Sequence, residues 1–219
     1  MNKVYLMDCM EGMRGTPDKY YDLAVVDPPY GIGRCGQIET FTKNPKHKRK
    51  YFQNKSWDYE IPNEEYFNEL FRVSQNVIIW GANYFTEFLP PSMGWIFWDK
   101  GQDLSMSDGE LAFTSYEKAL RRIKINRCQL MVEGGTIHPT QKPVMIYDFC
   151  FQYAKLQKGS RILDTHAGSM SSVISAMKNE MQITAYEIDS DYFNAGKKRI
   201  ETYLMQGDMF NQPKIEFIS

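Results

Sequence analysis

The chain has 219 residues, and its 26 Lys and Arg against 27 Asp and Glu give a formal net charge of −1. This length fits one domain, and 42% apolar and 14% aromatic residues suffice for a sizeable core, which excludes a disordered chain. The near-zero net charge does not advertise a nucleic-acid binder, but it leaves a local basic patch open.

The sequence also argues against a membrane protein, a metal site and a disulfide scaffold. No apolar run approaches the roughly 18 residues of a membrane span, and the first residues carry no secretory pattern, so a cytoplasmic location is expected. The four cysteines are scattered, without a Cys-x-x-Cys pair. This predicts reduced thiols, and no cluster of metal ligands is present.

The predicted elements alternate between short apolar strands and amphipathic helices. Strands are predicted at Val4–Met7, Leu23–Val26, Val77–Trp80, Trp95–Trp98, Glu110–Thr114, Arg161–Leu163 and Ile183–Tyr186. Helices are predicted at Glu64–Val73, Ala82–Phe88, Pro143–Ala154, Ser171–Lys178 and Tyr192–Tyr203. Continuous apolar runs such as LAVV are typical of strands covered on both faces. The pattern predicts an α/β fold with a mostly parallel twisted sheet, in which ligands bind beyond the carboxyl ends of the strands.

Two consecutive prolines follow the second predicted strand. In Asp27-Pro28-Pro29-Tyr30 they fix φ and remove two backbone donors, so the segment is stiff and its carbonyls are free to accept hydrogen bonds. Asp27 adds a carboxylate acceptor and Tyr30 an aromatic face. This combination suits an NH2 group on a flat ring, although an ordinary Pro-Pro turn explains the same residues. Asp8, which ends the first strand, is a weaker candidate.

A basic segment follows, from Thr40 to Trp57. It has neither strand nor helix periodicity and is interpreted as a long surface loop. Its cations are Lys43, Lys46, Lys48, Arg49, Lys50 and Lys55, with aromatic residues between them. Cations that neutralise phosphates and rings that stack on bases favour a nucleic-acid contact, and a solvated loop without a partner is the alternative. A second basic cluster, with Arg121 and Arg122, lies in a strand-like stretch and by itself suits an ordinary exposed face.

The segment His138-Pro139-Thr140-Gln141-Lys142-Pro143 precedes a predicted helix. Thr140 fits a helix cap and Pro143 the first turn, and these roles are compatible with a functional one.

A glycine turn, Asp164-Thr165-His166-Ala167-Gly168-Ser169, connects a strand to a helix. Gly168 permits close backbone approach, and the helix start offers free NH groups. The turn is neither a Gly-x-Gly-x-x-Gly fingerprint nor a phosphate loop. Glu187 ends the next strand 19 residues later (187 − 168), a spacing at which acidic residues commonly bond ribose hydroxyls. Together they indicate an adenosine-containing ligand, whereas Asp189 is better explained as a helix cap.

These segments together resemble the amino-group DNA methyltransferases that use S-adenosylmethionine. The matching segments are residues 27–30 for the catalytic motif IV, 163–169 for cofactor motif I, 186–189 for motif II, 138–143 for motif X, and Asp8 at the motif III position. This order, with the catalytic motif first, resembles the beta group, and residues 77–85 and 95–100 are similar to segments of its phage-type relatives. Asp before Pro-Pro-Tyr is more typical of N6-adenine enzymes than of N4-cytosine enzymes.

The resemblance implies methyl transfer from S-adenosylmethionine to the N6 amine of an adenine flipped out of double-stranded DNA. The implied catalytic residues are Asp27, Pro28, Pro29 and Tyr30: the Asp27 carboxylate and the Pro28 carbonyl accept the amine hydrogens, and Tyr30 stacks on the base. The implied cofactor residues are Asp8, Asp27, Thr140, Gln141, Lys142, Asp164, Thr165, His166, Gly168, Ser169 and Glu187. The implied DNA contacts are the six cations of the basic segment together with Arg121 and Arg122.

The resemblance further implies one methyltransferase domain over residues 1–219, with a DNA-contacting loop at 40–57 and a short target-recognition region at 120–136. Three departures from the family pattern matter. Motif I begins Asp164-Thr165-His166 where Asp-Pro-Phe is usual, although Asp-Thr-His also occurs in the phage-type group. Met170 follows Ser169 where a glycine is usual, and its side chain is expected to crowd the cofactor's amino-acid end. The recognition region leaves little surface for reading base edges. A homodimer is therefore an open alternative, by analogy with relatives.

Four other functions compete with this interpretation. The first is an N4-cytosine enzyme, and the second a methyltransferase for RNA or for a protein glutamine amide. The third is a catalytically silent DNA-binding relative, an alternative that rests on Met170. The fourth, a nucleotide-binding dehydrogenase, is disfavoured because the glycine fingerprint is absent.

Overall fold

The computed structural model describes residues 1–36, 51–53, 55–101, 107–206 and 213–219. The strands in these ranges are β1 (Asn2–Leu6), β2 (Leu23–Val26), β3 (Val77–Trp80), β4 (Trp95–Asp99), β5 (Gly109–Thr114), β6 (Arg121–Lys124), β7 (Arg161–Asp164), β8 (Gln182–Glu187) and β9 (Ile215–Ile218). The α-helices are α1 (Cys9–Arg14), α2 (Glu64–Val73), α3 (Gln129–Val132), α4 (Val144–Ala154), α5 (Ser171–Lys178) and α6 (Ser190–Met205).

The described strands form one sheet in the order β6-β4-β5-β3-β2-β7-β8-β1-β9. Strand β5 runs antiparallel to both of its neighbours, β3 and β4, whereas the other pairs are parallel. Because β5 is reversed, its first residues lie at the edge of the sheet where the other strands end. The predicted α/β fold with a mostly parallel sheet is confirmed.

Both faces of the sheet are covered, as the apolar runs predict. In β2, Leu23 and Val25 belong to one cluster of buried side chains, and Ala24 and Val26 belong to another. Helices α4, α5 and α6 contribute to the first cluster, and α1 and α2 to the second. Each fully buried aliphatic side chain contributes about 1.5–3 kcal/mol, so this double burial fixes β2 and the polar segment at its end.

The seven predicted strands are all present, with bounds within two residues of those predicted, and the helix predicted at Tyr192–Tyr203 begins at Ser190. The single helix predicted over Ala82–Phe88 is wrong. Two 3-10 turns, Ala82–Tyr84 and Thr86–Phe88, are separated by Phe85, whose φ of −123° leaves the helical region while its ring is fully buried.

Helices α1 and α3 and strand β9 carry too few residues or too weak a pattern to be predicted, and β6 is an exposed edge strand. None of the helices in the described ranges has the length and apolar character that crossing a bilayer requires. Cys9, Cys35 and Cys150 are buried, Cys128 is exposed, and none of the four forms a disulfide bond.

Candidate active site

The segment after β2 contains a carboxylate that is held on both of its oxygens. Asp27 lies at the carboxyl edge of the sheet, where the Tyr30 hydroxyl donates to its Oδ1 over 2.5 Å. The Lys142 ammonium lies 2.5 Å from its Oδ2. Lys142 comes from the segment before α4, so the fold brings two predicted site residues 115 positions apart (142 − 27) into contact.

The backbone that follows Pro29 is fixed by Asp58, which is itself buried. Its Oδ1 accepts from the amides of Tyr30 at 2.6 Å and Gly31 at 3.1 Å, and its Oδ2 accepts from the amide of Arg34 at 2.6 Å. Three amide donors on one carboxylate hold the turn that carries Tyr30. Sequence analysis missed Asp58, because an acidic residue at the end of a basic loop has no motif to mark it.

The Tyr30 ring is predicted to offer a stacking face to a base, and in the structure that face meets another ring. Tyr84 stacks on Tyr30 with ring centroids 5.0 Å apart and planes 14° apart, and Phe85 contacts it edge-on. Gly81, at φ +68°, lies so close that an added Cβ would come within 2.0 Å of the Tyr30 ring. Tyr84 is 42% exposed, so it forms the outer surface of this aromatic stack.

Two further charged residues complete the end of the site around Asp27 and Lys142, called the catalytic end after its predicted role. Glu110, the second residue of the reversed strand β5, has its Oε2 3.0 Å from the Lys142 ammonium and its Oε1 2.8 Å from that of Lys100. The contact between Glu110 Oε2 and Lys142 is a close ion pair. The result is a chain of alternating charges, Asp27–Lys142–Glu110–Lys100.

These contacts decide the ionisation of each group. Burial raises the pKa of Asp27, and the Lys142 ammonium offsets part of that rise. Burial also favours neutral Glu110, but the two ammonium groups outweigh it and hold its pKa at about 2. Burial and the neighbouring carboxylates raise the pKa of Tyr30 well above its ordinary value, so the phenol remains a donor. Despite burial, Asp27 and Glu110 raise the pKa of Lys142, which stays charged.

A cavity of about 750 Å³ opens at this end of the sheet. Asp27, Tyr30 and Lys142 line it together with aromatic side chains that include Trp98. Thr140 and Gln141, predicted to bind the cofactor, line the same cavity, as does Arg127 of the predicted target-recognition region. The volume is within the range of small-molecule sites in proteins.

The predicted cofactor turn lies at the end of β7, which pairs with β2 in parallel. Asp164 is buried, and its carboxylate accepts from the amide of His166 at 3.0 Å and from the hydroxyl of Ser172 at 2.5 Å. Thr165 bonds the hydroxyl of Tyr66 at 2.7 Å. Burial raises the pKa of Asp164 to about 6 and lowers that of His166 to about 4, so the histidine is neutral at pH 7.

Glu187 and Gly168 meet, as their spacing suggests. The amide of Gly168 donates to Glu187 Oε2 at 2.7 Å, and the amide of Asp189 donates to Oε1 at 2.8 Å. Burial raises the pKa of Glu187 to about 7 despite these two donors. Asp189 caps α6, as predicted, and Asp8 caps α1 by accepting from the amide of Met10.

Met170 does not crowd this turn, contrary to expectation. Its backbone adopts the left-handed conformation, at φ +59°, that the usual glycine would take. Its side chain is fully buried in the core and packs against Gly196 of α6, where an added Cβ would come within 2.7 Å of the Met170 sulfur. The side chain therefore points into the core, and Gly196 provides the space.

The segment before α4 lies between the two ends of the site. The predicted cap of α4 by Thr140 is not formed. Thr140 bonds the ring of His138, while the first amide of α4, at Val144, is satisfied by the carboxylate of Glu133. Gln141 accepts from the amide of Ile137. The capping role predicted for Thr140 is therefore wrong, and Glu133 fills it from a distance in sequence.

Aromatic rings separate the cavity from the glycine turn. His138 lies 3.6 Å from the position of a Cβ on Gly168, and its ring packs against Trp57 at 5.1 Å and Tyr192 at 4.3 Å between centroids. Burial lowers the pKa of His138 to about 3. The residues around Gly168 and Glu187 accordingly do not line the large cavity that contains Asp27.

The predicted DNA contacts fall into three groups. Lys43, Lys46, Lys48, Arg49 and Lys50 lie outside the described residues. Lys55 is described, and its ammonium pairs with Asp189 at 2.5 Å and Asp191 at 2.7 Å beside the cofactor turn. Arg121 and Arg122 are exposed on the edge strand β6, where Arg122 lies 3.9 Å from Asp99. In the described ranges, no group of three or more His, Cys, Asp or Glu is arranged to hold a metal ion.

Comparison with known proteins gives the fold but no family. No family model and no curated protein matches the chain. Among solved structures, TTHA0409 of Thermus thermophilus, assigned as a DNA modification methylase and complexed with S-adenosyl-L-methionine, matches all of both chains with a TM-score of 0.59 and 13% identity. The M1.HpyAVI–SAM complex matches 91% of this chain and 100% of its own (TM-score 0.56, 16% identity). The cytosine-N4-specific PvuII DNA methyltransferase matches 91% and 86% (TM-score 0.59, 13% identity). The chain shares the fold of these proteins.

Proposed function

We propose that the chain transfers a methyl group from S-adenosylmethionine to an exocyclic amine of a base in DNA, with N6 of adenine as the target. One observation carries this: the Asp27 carboxylate is fixed next to Tyr30 in a cavity large enough for a base. It lies at the tip of β2, which pairs with β7, the strand that ends at Asp164. The solved methylases of the same fold, two of which contain S-adenosylmethionine, support it.

Asp27 is the acceptor for the amine. Its lone pairs exceed the two contacts that it makes, so each oxygen still accepts a further hydrogen bond. The Pro28 carbonyl supplies the second acceptor, since neither Pro28 nor Pro29 has an NH group. Hydrogen bonds to both amine hydrogens pull electron density toward the nitrogen and away from the ring. As the new N–C bond forms, the nitrogen becomes acidic and its proton passes to Asp27.

The residues at the neighbouring strand tips fit the cofactor. Asp164 and Glu187 are carboxylates, which repel phosphate and suit a cationic ligand that carries ribose hydroxyls. Glu187 would hold the ribose and Asp8 the adenine amine, while Ile188, 66% exposed next to Glu187, offers an apolar face. Thr140 and Gln141 would hold the amino-acid end. When bound, S-adenosylmethionine supplies a methyl group activated by its positive sulfur.

The target base is expected to flip out of the duplex into the cavity, and unstacking it costs a few kcal/mol. Tyr30 is the proposed stacking partner, and Tyr84 fills that place in this structure. A flipped base would therefore displace Tyr84 or extend the stack on its exposed face. Either arrangement offsets part of the unstacking cost by about 1–3 kcal/mol, the usual contribution of a base on an aromatic ring.

Duplex DNA is the proposed partner, contacted by the basic segment and by Arg121 and Arg122. Arg127 lines the cavity and lies beyond the same strand, so the basic edge of the sheet leads to the proposed base pocket. The engagement of Lys55 with Asp189 and Asp191 favours a role beside the cofactor for this one cation. A homodimer would enlarge the small recognition region and remains part of the proposal.

The choice of adenine rests on the Asp-Pro-Pro-Tyr resemblance, and cytosine N4 is the alternative. A structural relative that is specific for cytosine N4 shares the fold, so the fold itself does not decide. The silent DNA-binding relative loses its main support, because Met170 points into the core.

The test is to express the chain in cells that lack DNA methylation and to analyse the digested DNA by mass spectrometry. We expect N6-methyladenine, and none with Asp27→Ala that still binds S-adenosylmethionine within a few-fold by calorimetry. N4-methylcytosine would move the target to cytosine. Cofactor binding by the wild-type chain without any methylated base, in cells and on purified DNA, would overturn the proposal.

A further inference from the structure

In the charged chain Asp27–Lys142–Glu110–Lys100 both lysines are buried and both carboxylates are largely shielded from solvent. Only 2% of the Lys142 side chain and 9% of the Lys100 side chain is exposed, and the two carboxylates are 15% and 23% exposed. Burying a charge costs several kcal/mol unless it is paired, and an apolar cluster of the same volume is often at least as stable. The network therefore calls for an explanation other than stability.

Lys142 is placed to act directly on Asp27, the predicted catalytic carboxylate. Its ammonium is 2.5 Å from Asp27 and donates to the Tyr30 hydroxyl at 3.2 Å, which in turn donates to Asp27. These three groups form a closed ring of contacts that fixes the carboxylate in one orientation. The resemblance assigns Lys142 to the cofactor, but its ammonium contacts the catalytic end.

Glu110 has the opposite effect through the same ammonium. Shared between two carboxylates, the Lys142 charge is partly neutralised, and Lys100 balances Glu110 in turn. A lone ammonium at 2.5 Å would make Asp27 a weak hydrogen-bond acceptor and a poor destination for a proton. A shared one keeps Asp27 anionic but still able to accept.

We propose that Lys142 and Glu110 are a pair of positioning residues for Asp27, with Lys142 holding its carboxylate charged and oriented and Glu110 limiting the effect of Lys142. This inference rests on the proposed methyl transfer to an amine. In that step the N–C bond forms, the C–S bond breaks with its electron pair going to sulfur, and the amine proton goes to Asp27.

The proposal predicts opposite pH effects for the two residues. The groups that act on Asp27 from the elements around it are Tyr30, Tyr66, Glu110, Lys142, Tyr147 and Asp164. Of these, Lys142 lowers the pKa of Asp27 and Glu110 raises it. Removing Lys142 therefore moves the acidic limb of kcat to higher pH, and removing the Glu110 charge moves it to lower pH.

The experiment compares Lys142→Met and Glu110→Gln with the wild type at saturating S-adenosylmethionine and DNA. We expect Lys142→Met to lower kcat by about 100-fold, to shift the acidic limb to higher pH, and to leave the cofactor Kd within about threefold. Glu110→Gln should lower kcat less and shift the limb to lower pH. Lys158→Met, which removes an exposed lysine paired with Glu180, is the matched control and should change neither.

The outcomes separate this inference from the proposed function. A wild-type chain that methylates DNA, with Lys142→Met weakening the cofactor Kd more than tenfold and leaving the pH profile in place, would overturn the positioning role but keep the methyltransferase. Shifts in the same direction for both variants would also overturn it. If Lys142→Met does not fold, Glu110→Gln decides alone: a shift to lower pH supports the pair, and no shift rejects it.

Discussion

The two ends of the site hold their carboxylates by different means. At the catalytic end, Asp27 and Glu110 face the ammonium groups of Lys142 and Lys100. At the cofactor end, Asp164 and Glu187 accept hydrogen bonds from amides and a hydroxyl close to the glycine turn, and neither forms an ion pair with any described residue.

This difference sets the charge of each end. Paired with lysines, Glu110 has a pKa of about 2 and is always ionised. Bonded to neutral donors, Glu187 has a pKa of about 7, because amides compensate burial less than cations do. At the catalytic end Glu110 thus stays charged through side-chain partners, while burial raises the pKa of Asp27 despite Lys142. At the cofactor end Glu187 depends on backbone donors and changes its charge near neutral pH.

The largest expected effect tests whether the cofactor end depends on the backbone. Met170→Ala should lower the free energy of unfolding by about 3 kcal/mol, because a fully buried side chain is lost from the core. Alanine keeps the same left-handed strain, and the turn keeps its amides, so the Kd for S-adenosylmethionine should change less than twofold. Chemical denaturation and calorimetry measure the two quantities.

Met205→Ala is the control for this change, since Met205 is 82% exposed at the end of α6 and should affect stability by less than about 0.5 kcal/mol. A folded Met170→Ala protein that binds the cofactor ten times more weakly would show that the buried side chain shapes the ligand face of the turn.

The contrast between the ends also explains what the sequence could predict. The cofactor end lies in short contiguous segments at the ends of parallel strands, so Asp164, Gly168 and Glu187 are recognisable from spacing alone. At the catalytic end the same rule finds Asp27 but not Glu110, which begins its strand. The rule examines residues that follow strands, and β5 is reversed, so its first residues lie at the ligand edge.

Other differences arise from tertiary contacts that leave no local pattern. The position of Met170 depends on Gly196, 26 residues away (196 − 170), and the cap of α4 comes from Glu133. The broken helix after Gly81 depends on the burial of Phe85. The sheet is predictable because long apolar runs have one stable environment, whereas these features need the packed structure.

The second prediction tests the dependence of the catalytic end on side chains. Gly81→Ala and Gly159→Ala place alanine at φ +68° and +82°, so both incur about 1–2 kcal/mol of backbone strain. Only Gly81→Ala also pushes against the Tyr30 ring, because a Cβ on Gly159 meets nothing within 4 Å. The contact should cost about 1–3 kcal/mol more in unfolding free energy and should lower kcat, which Gly159→Ala leaves unchanged.

Thermal unfolding and single-turnover kinetics of the two variants give this difference directly. If Gly81→Ala and Gly159→Ala lose the same stability and keep the same rate, the Tyr30 ring can shift at no cost. The close approach of Gly81 would then not hold the ring in place.

The smallest effect concerns Glu187, the carboxylate of the cofactor end whose pKa lies nearest to neutral pH. Under the proposed function Glu187 accepts hydrogen bonds from the ribose hydroxyls, and its ionised form is the stronger acceptor. Its pKa of about 7 means that protonation weakens this contact below that pH. The contribution of Glu187 to the affinity for S-adenosylmethionine should level off only above about pH 8 and should fall as the pH drops through 7, by at most about tenfold per unit. The ligand's own amino group titrates equally in all variants. Glu187→Gln should bind the ligand more weakly and should lose the part of the pH dependence that Glu187 causes.

The control is Glu180→Gln, which changes an exposed acid, and calorimetry between about pH 5.5 and 8.5 gives the affinities. Parallel profiles for the wild type and Glu187→Gln would show that Glu187 does not bind the ribose, and the acidic turn would then need another ligand contact.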